Sequence, residues 1–222
     1  MAKKKAWIAW SSGKDSAWAL HEARKSGEYE ITGALTTVTK TFGRVAMHAV
    51  REEILKRQCE AMGLAQEIVP IPFPCSNEIY EARMDAALKE AKAEGVTHVI
   101  FGDLFLEDIR RYREEKMAGS GIAPVFPLWG RPTDELAREM IAGGLRAHLV
   151  CIDPKILPKE FAGRAFDASL LADLSAGVDP CGERGEFHTC VVNGPMFSCE
   201  IKVKSGEIVE RDGFVFADLV PL

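Results

Sequence analysis

Ala6-Trp7-Ile8-Ala9-Trp10-Ser11-Ser12-Gly13-Lys14-Asp15-Ser16 is the stretch on which the fold turns. Five apolar residues run into a polar hexapeptide and an apolar-periodic segment, 17–23, follows, so the spacing predicts a strand, a tight loop and a helix. Unpaired N–H groups in a helix's first turn face such a loop and the helix dipole favours an anion there, which makes the loop a phosphate site. Gly13 lets the backbone approach an anion closely, Ser11 and Ser16 bring hydroxyl donors, and Asp15 can hold Mg²⁺ or brace the loop. A polar turn capped by Ser or Asp is the plain alternative.

Two other phosphate loops fail on the same residues. A G-x-x-x-x-G-K-[ST] loop needs Gly at position 8 and Ser or Thr at position 15, where the chain has Ile8 and Asp15. A G-x-G-x-x-G fingerprint has no counterpart, because Gly13 is the only glycine in the first 26 residues. The hexapeptide instead resembles the S-G-G-x-D-S pyrophosphate loop of the N-type ATP pyrophosphatases, with Ser12 where that loop has its first glycine. The resemblance implies a grip on the β- and γ-phosphates of ATP while the α-phosphate is attacked, so that AMP and pyrophosphate leave.

At 222 residues and 47% hydrophobic, the chain can bury a full core in one large domain or two small ones. No stretch approaches the run of about 20 apolar residues that spans a bilayer. Met-Ala-Lys-Lys-Lys leads into the first strand without a cleavable apolar segment, so a cytoplasmic location and no membrane partner are expected. Six scattered cysteines without a C-x-x-C imply reduced thiols, and a net charge of −5 argues against a broad nucleic-acid surface.

In order along the chain, a helix over 16–24 ends at Gly27, and a strand over 31–38 presents Thr36 and Thr37. These threonines are either nucleotide contacts at the sheet's carboxyl edge or ordinary β-branched strand residues. Residues 47–50 are expected to open a helix running to Met62, with His48 at its front as a packing residue or a ligand contact. A strand over 67–71 precedes a helix capped by Ser76 and ending at Gly95. The buried strand 96–101 then delivers Gly102 and Asp103 to the sheet edge, where a carboxylate beside a glycine is a position that sites favour. Glu107, Arg111 and Glu115 lie four apart on the next helix and read as an ion-paired, solvated face. A strand over 122–126 completes the β-α alternation of a parallel sheet.

Past Trp129-Gly130 the composition changes, which places a boundary between a first domain, 1–128, and a second, 129–222. The second contains a helix from Pro132 to Gly143-Gly144, a strand over 145–152, a helix over 166–174, and hairpin segments turning at Ser205-Gly206 and Asp212-Gly213. Its polar loop, Asp179-Pro180-Cys181-Gly182-Glu183-Arg184-Gly185-Glu186-Phe187-His188-Thr189, can aim several side chains at one substrate or be a turn with solvated acids. Cys181, Cys190 and Cys199, spaced by nine, match no zinc pattern and are expected to be buried apolar residues.

Taken together, the hexapeptide, Met47-His48, the segment from Phe101-Gly102-Asp103 to Tyr112-Arg113-Glu114, Val125-Phe126-Pro127-Leu128-Trp129-Gly130, and Gly182-Glu183-Arg184-Gly185-Glu186-Phe187-His188-Thr189 resemble the diphthine–ammonia ligase family over nearly the whole chain. The resemblance implies an α/β fold: an adenine nucleotide alpha hydrolase-like (HUP-type) sheet of five parallel strands, order 3-2-1-4-5, with a smaller α+β C-terminal domain. It implies ATP and Mg²⁺ as cofactors, and a carboxylate acceptor, diphthine on translation elongation factor 2 or another acid, amidated by ammonia through an acyl-adenylate. Ser11, Ser12, Gly13, Lys14, Asp15, Ser16, Thr36, Thr37, His48 and Gly102 would then hold the nucleotide, with Asp15 also on Mg²⁺. Asp103, Glu183, Glu186 and His188 would serve catalysis, and Arg113, Gly185 and Thr189 would bind substrate. The family's Gly-Glu-Tyr-Glu-Thr is here Gly-Glu-Phe-His-Thr, which exchanges an acid for an imidazole where the acceptor is expected. A homodimer is compatible with this reading. Two rivals are an enzyme that adenylates tRNA for thiolation, which would need a cysteine pair and a basic face, and a nucleotide-sensing module without ligase activity.

Overall fold

The structure is a computed structural model that describes residues 2–222. Strand β1 (Lys4–Ala9) shows how the layers arise: Ala6 and Ile8 enter one apolar layer and Trp7 enters the other, the period of two that a strand buried on both faces requires. After β1 come α1 (Lys14–Ser26), β2 (Tyr29–Thr39), β3 (Arg44–Val45), α2 (Glu52–Met62), β4 (Ala65–Ile71), α3 (Asn77–Ala93), β5 (His98–Ile100), α4 (Glu107–Met117) and β6 (Ala123–Val125). Parallel pairing puts five strands in the order β4-β2-β1-β5-β6, which is the order 3-2-1-4-5 when the parallel strands alone are counted. Leu88, Ala91 and Met117 of α3 and α4 cover the Trp7 face. Helices α1 and α2 cover the opposite face through Trp18, Leu20, Ile54 and Leu55.

Strand β2 outruns β1. Ala9 pairs with Leu35, and beyond that point the vacated flank of β2 is taken by β3, antiparallel, with Val45 opposite Val38. The phosphate-type loop therefore leaves the sheet beside a two-residue patch that holds the segment around His48 against it. That segment is not helical. Met47 and Ala49 both adopt left-handed backbone, φ 63° and 54°, and α2 begins only at Glu52, which corrects the expectation of a helix from Met47. Two such non-glycine residues cost about 1 kcal/mol or more each, so a helix running through them is excluded and a tight turn displays His48 between them.

The second part of the chain consists of α5 (Thr133–Ala142), β7 (Arg146–Ile152), α6 (Ala168–Asp173), β8 (Phe187–Asn193), β9 (Val203–Arg211) and β10 (Phe214–Pro221). Its four strands form an antiparallel sheet in the order β8-β7-β10-β9. Asp212-Gly213 is the turn between β9 and β10, whereas Ser205-Gly206 lies within β9, where a register shift opposite Ala217 and Leu219 absorbs it. Leu149, Val191 and Leu136 join Ile8, Leu20 and Ile54 in one apolar cluster, so the second sheet packs directly on the helix layer of the first. Asp218 of β10 reinforces the junction by accepting from Arg44 at 2.9 Å and from both Nε and Nη2 of Arg51. All six cysteines are free; Cys181 and Cys190 are buried as expected, but Cys199 is exposed. No helix among the described residues is long and apolar enough to cross a membrane.

Candidate active site

Helix α1 starts at Lys14 with Gly13, which has no side chain to offer, as N-cap. Ser11 Oγ accepts from the Gly13 amide, and Thr189 Oγ1 accepts from the Lys14 amide at 3.0 Å. The amides of Asp15 and Ser16 find no acceptor among the described residues, which leaves the start of the helix open to an anion. Ser12 has φ 69°, the backbone region that favours the glycine of the resembling loop. Its hydroxyl is fully buried and unpartnered.

Gly102, two residues past the end of β5, must be a glycine. A Cβ there would lie 2.7 Å from the Asp15 carbonyl carbon and the Ser16 nitrogen, so the strand end and the loop can touch only without a side chain. Next to it, Asp103 accepts from Arg113 Nε and Nη2 at 2.7 and 3.1 Å, and the guanidinium stacks 4.4 Å from the Phe101 ring centroid. Asp103 and Arg113 are thus one fixed unit on the cleft wall.

The second sheet closes the cleft. Val191 N–H donates to the Ser12 carbonyl at 2.9 Å, which draws β8 alongside the loop and sets His188 and Thr189 over the start of α1. Gln58, buried on α2, locks this contact: its Oε1 accepts from Trp10 Nε1, while its Nε2 donates to Val191 O at 2.7 Å and Ser12 O at 3.3 Å. Glu183 reaches from the 179–189 loop and accepts from the Leu104 amide at 2.8 Å. The resulting space of about 250 Å³ is lined by Ser11, Lys14, Asp15, Ser16, His48, Gly102, Asp103, Arg113, Glu183, His188 and Thr189, together with Leu106 and the Phe101 and Phe187 rings.

Charge in this cleft is organised by burial. Burial alone would discharge Lys14, but the Asp15 carboxylate, accepting from its Nζ at 2.8 and 3.0 Å, holds it protonated. The same ammonium also donates to the Cys181 carbonyl and lies over the rings of Phe166 and Phe187. Burial, then the negative charge of Asp15, pushes Glu183 up to about 7. His48 is brought down to about 3 by burial and by the neighbouring His188, and His188 to about 4 by burial and Lys14. Both imidazoles are therefore neutral at pH 7. Their rings are 4.7 Å apart. Since the Thr189 carbonyl can only accept, the proton of His48 sits on Nδ1, 3.1 Å away, and Nε2 keeps its lone pair.

Several expected residues do not reach the cleft. Glu186 is buried and turned into its own loop, accepting from the amides of Asp179 and Arg184 at 3.1 and 2.9 Å; it shapes the turn and does not line the cleft. Gly185 supports that turn with φ 89° and lines no part of the cleft. Thr36 spends its hydroxyl on the Trp10 carbonyl at 2.8 Å, and Thr37 lies at the β2 edge, where its carbonyl accepts from Ala46. Gly13 contributes its closeness: a Cβ on it would lie 2.7 Å from His48 Cε1. Gln58 and the Cys181 carbonyl went unread in the sequence. A lone glutamine on the apolar face of α2, between Ile54, Leu55 and Cys59, was the available signal for the first.

Comparison with known proteins bears on the same two halves. A family model described as the diphthamide synthase N-terminal domain matches residues 4–123, and one described as the diphthamide synthase C-terminal domain matches residues 132–218. A Bos taurus protein named diphthine–ammonia ligase is 28% identical over 236 residues, covering 96% of this chain and 87% of that protein. Proteins of the same name from Homo sapiens and Mus musculus are 31% and 32% identical, over 61% and 53% of this chain. Those two matches span about half the length of the relatives, 53% and 46%.

Proposed function

The chain belongs to the diphthamide synthase family, and from that membership and the cleft we propose that it is an ATP-dependent ligase joining ammonia to a carboxylate, as in diphthine to diphthamide. The observation that carries the reading is the joining of an open helix start, at Asp15 and Ser16, to a loop of the second sheet bearing Glu183, His188 and Thr189 in one cleft. In this division of labour residues 1–128 bind ATP, a substrate of the reaction, and residues 129–222 present the acceptor side.

The amides of Asp15 and Ser16 and the hydroxyls of Ser11 and Ser16 hold the β- and γ-phosphates, and Lys14 supplies fixed positive charge. Among the described residues no three acid, His or Cys side chains group to hold a metal. Asp15 alone fits Mg²⁺ delivered on the nucleotide, the usual arrangement for an ion that keeps several waters and binds phosphates with one or two carboxylates. When bound, Mg²⁺ neutralises phosphate charge. Adenosine lies along the carboxyl edge by Gly102 and His48.

An acceptor carboxylate oxygen bonds to the α-phosphorus while the bond to the bridging oxygen breaks, and pyrophosphate leaves. Ammonia then bonds to the acyl carbon, the bond to the AMP oxygen breaks, and one proton passes from nitrogen to Glu183. A carboxylate titrating near 7 is matched to that transfer at neutral pH. Asp103 keeps Arg113 fixed beside the reacting groups, and neutral His48 and His188 offer lone pairs without adding charge. Positioning and charge neutralisation account for the rest of the acceleration.

Incubation with MgATP, ammonium and elongation factor 2 bearing diphthine, beside a panel of small carboxylic acids, tests the reading by intact mass of each acceptor. Conversion of a carboxylate to a carboxamide that requires both ATP and ammonium is expected. No amide from any acceptor, with ATP turned over regardless of ammonium, would remove the ligase assignment.

A further inference from the structure

Strand β8 stands at the edge of its sheet, and an edge leaves a row of backbone N–H and C=O groups without a strand partner. Among the described residues no strand of the first sheet pairs with it. The row at Thr189 and Val191 is taken up by other groups of the first domain. The Thr189 carbonyl accepts from His48 Nδ1, Val191 N–H donates to the Ser12 carbonyl at 2.9 Å, and the Val191 carbonyl accepts from Gln58 Nε2 at 2.7 Å. The carboxamide of Gln58 thus stands in for the peptide group that a neighbouring strand would supply.

Gln58 is fully buried on α2, and its partners fix which way the amide faces. The Trp10 indole can only donate and the carbonyls of Ser12 and Val191 can only accept. Oε1 must therefore face Trp10, at 3.0 Å, and Nε2 the two carbonyls, at 3.3 and 2.7 Å. Few side chains could replace it: Glu would set an oxygen against two carbonyls, and Met would leave all three groups buried without this partner. The Ser12 carbonyl receives two donors, Val191 N–H and Gln58 Nε2, and so holds a residue whose φ of 69° persists only where its surroundings over-determine it. Gln58 lines no part of the cleft. It stands behind both walls, since Ser12 precedes the N-cap of α1 and Val191 follows His188 and Thr189 on one strand.

We propose that Gln58 is a positioning residue that holds the phosphate loop and the acceptor strand in one register, so that its loss uncouples the two halves of the cleft without unloading either. The words phosphate and acceptor rest on the ligase reading above; the register between Ser12 and Val191 does not. With the register kept, an acyl-adenylate formed over the start of α1 stays in line with the groups of the 183–189 loop that receive ammonia and its proton. With the register lost, the same intermediate is exposed to water. A water oxygen then bonds to the acyl carbon, the bond to the AMP oxygen breaks, and the acid, AMP and a proton are released.

The test compares the full-length wild type with Gln58→Met and with Leu55→Ala, which loosens the same helix but leaves the hydrogen bonds of Gln58 in place. The first readout needs no nucleotide: hydrogen exchange at the Val191 amide, read against the slowest core amides. In Gln58→Met it should rise about tenfold beyond any rise in the core, as expected when buried hydrogen bonds are lost. In Leu55→Ala it should rise only in step with the core. The second readout is amide formed per AMP, with MgATP, ammonium and elongation factor 2 bearing diphthine, or the acid of the panel that the wild type amidates. Gln58→Met should keep KM for ATP within about threefold, slow amide formation about tenfold or more, and release AMP in excess of amide. Leu55→Ala should keep the two products equal. Thermal melts check folding, and Gln58→Leu, a shorter side chain, replaces the Met variant if that one does not fold. Exchange at Val191 that only tracks the core, or amide made by the variant in step with AMP, would overturn the positioning role. The ligase reading fails separately, if wild type and variants alike form no amide; the Val191 exchange then still decides whether Gln58 holds the register.

Discussion

Replacing Glu183 by Gln removes a charge while keeping the side chain's shape and its ability to accept the Leu104 amide. The carboxylate is pushed from 4.5 up to about 7, by burial first and by Asp15 second, whereas in the unfolded chain it titrates near 4.5. Between those values the folded protein keeps a proton that the unfolded chain has released. The contribution of Glu183 to stability is therefore full below 4.5 and is lost as the pH rises through 7. Between about pH 5.5 and about pH 8 the wild type should lose roughly 2 kcal/mol through this one group, less what solvent screens at its open side. Glu183→Gln has nothing to lose over that interval. Urea unfolding of both proteins at the two pH values should show the variant gaining on the wild type by close to that amount. In turnover, loss of the proton acceptor should lower kcat by about 10²-fold or more with little change in KM for ATP. A stability difference that stays constant with pH would refute the burial argument, and an unchanged kcat would refute the role given to Glu183.

Ser12→Gly should raise stability by about 1 kcal/mol, because it relieves a left-handed φ of 69° and removes a buried hydroxyl without a partner; a thermal melt unchanged or lowered would contradict this. Gly102→Ala should do the reverse. Its Cβ would stand 2.7 Å from backbone atoms of Asp15 and Ser16, so the loop must retreat by several tenths of an ångström, at about 1–3 kcal/mol and with a clear loss of ATP affinity. Gly27→Ala, where nothing lies within 4 Å, is the comparison: it strains only its own φ of 71°, and ATP affinity should be kept. Equal losses of ATP affinity in the two variants would show that close approach at Gly102 is not what shapes the phosphate loop.

What the sequence made legible was governed by periodicity and by backbone rules with few exceptions. The alternation through Trp7 and Ile8, the glycines closing α1 and α2, the Ser76 cap and the polar hexapeptide each admit one local structure, and the parallel order follows from strands separated by helices. The segment 47–50 misled because its composition suits a helix, while the pairing of β3 with the overhang of β2 forces a turn that only tertiary contact can stabilise. Ser205-Gly206 misled in the other direction: a turn-forming dipeptide was absorbed as an irregularity in a long strand. Among the site residues, types were readable but directions were not. Glu183 and Glu186 are three apart in one loop, yet one accepts from Leu104 across the cleft and the other from amides of its own turn. Which carboxylate points outward depends on the loop's hydrogen bonds, and these are not encoded in residue type.

The position at which ATP is cut tests the central claim most directly. Phosphorus NMR of the wild-type protein with MgATP, an amidated acceptor's parent acid and ¹⁵N-ammonium should show AMP and pyrophosphate in equal amounts, with ¹⁵N in the product amide in the same proportion. ADP and inorganic phosphate as the products, or AMP formed without nitrogen transfer when acceptor and ammonium are both present, would contradict it.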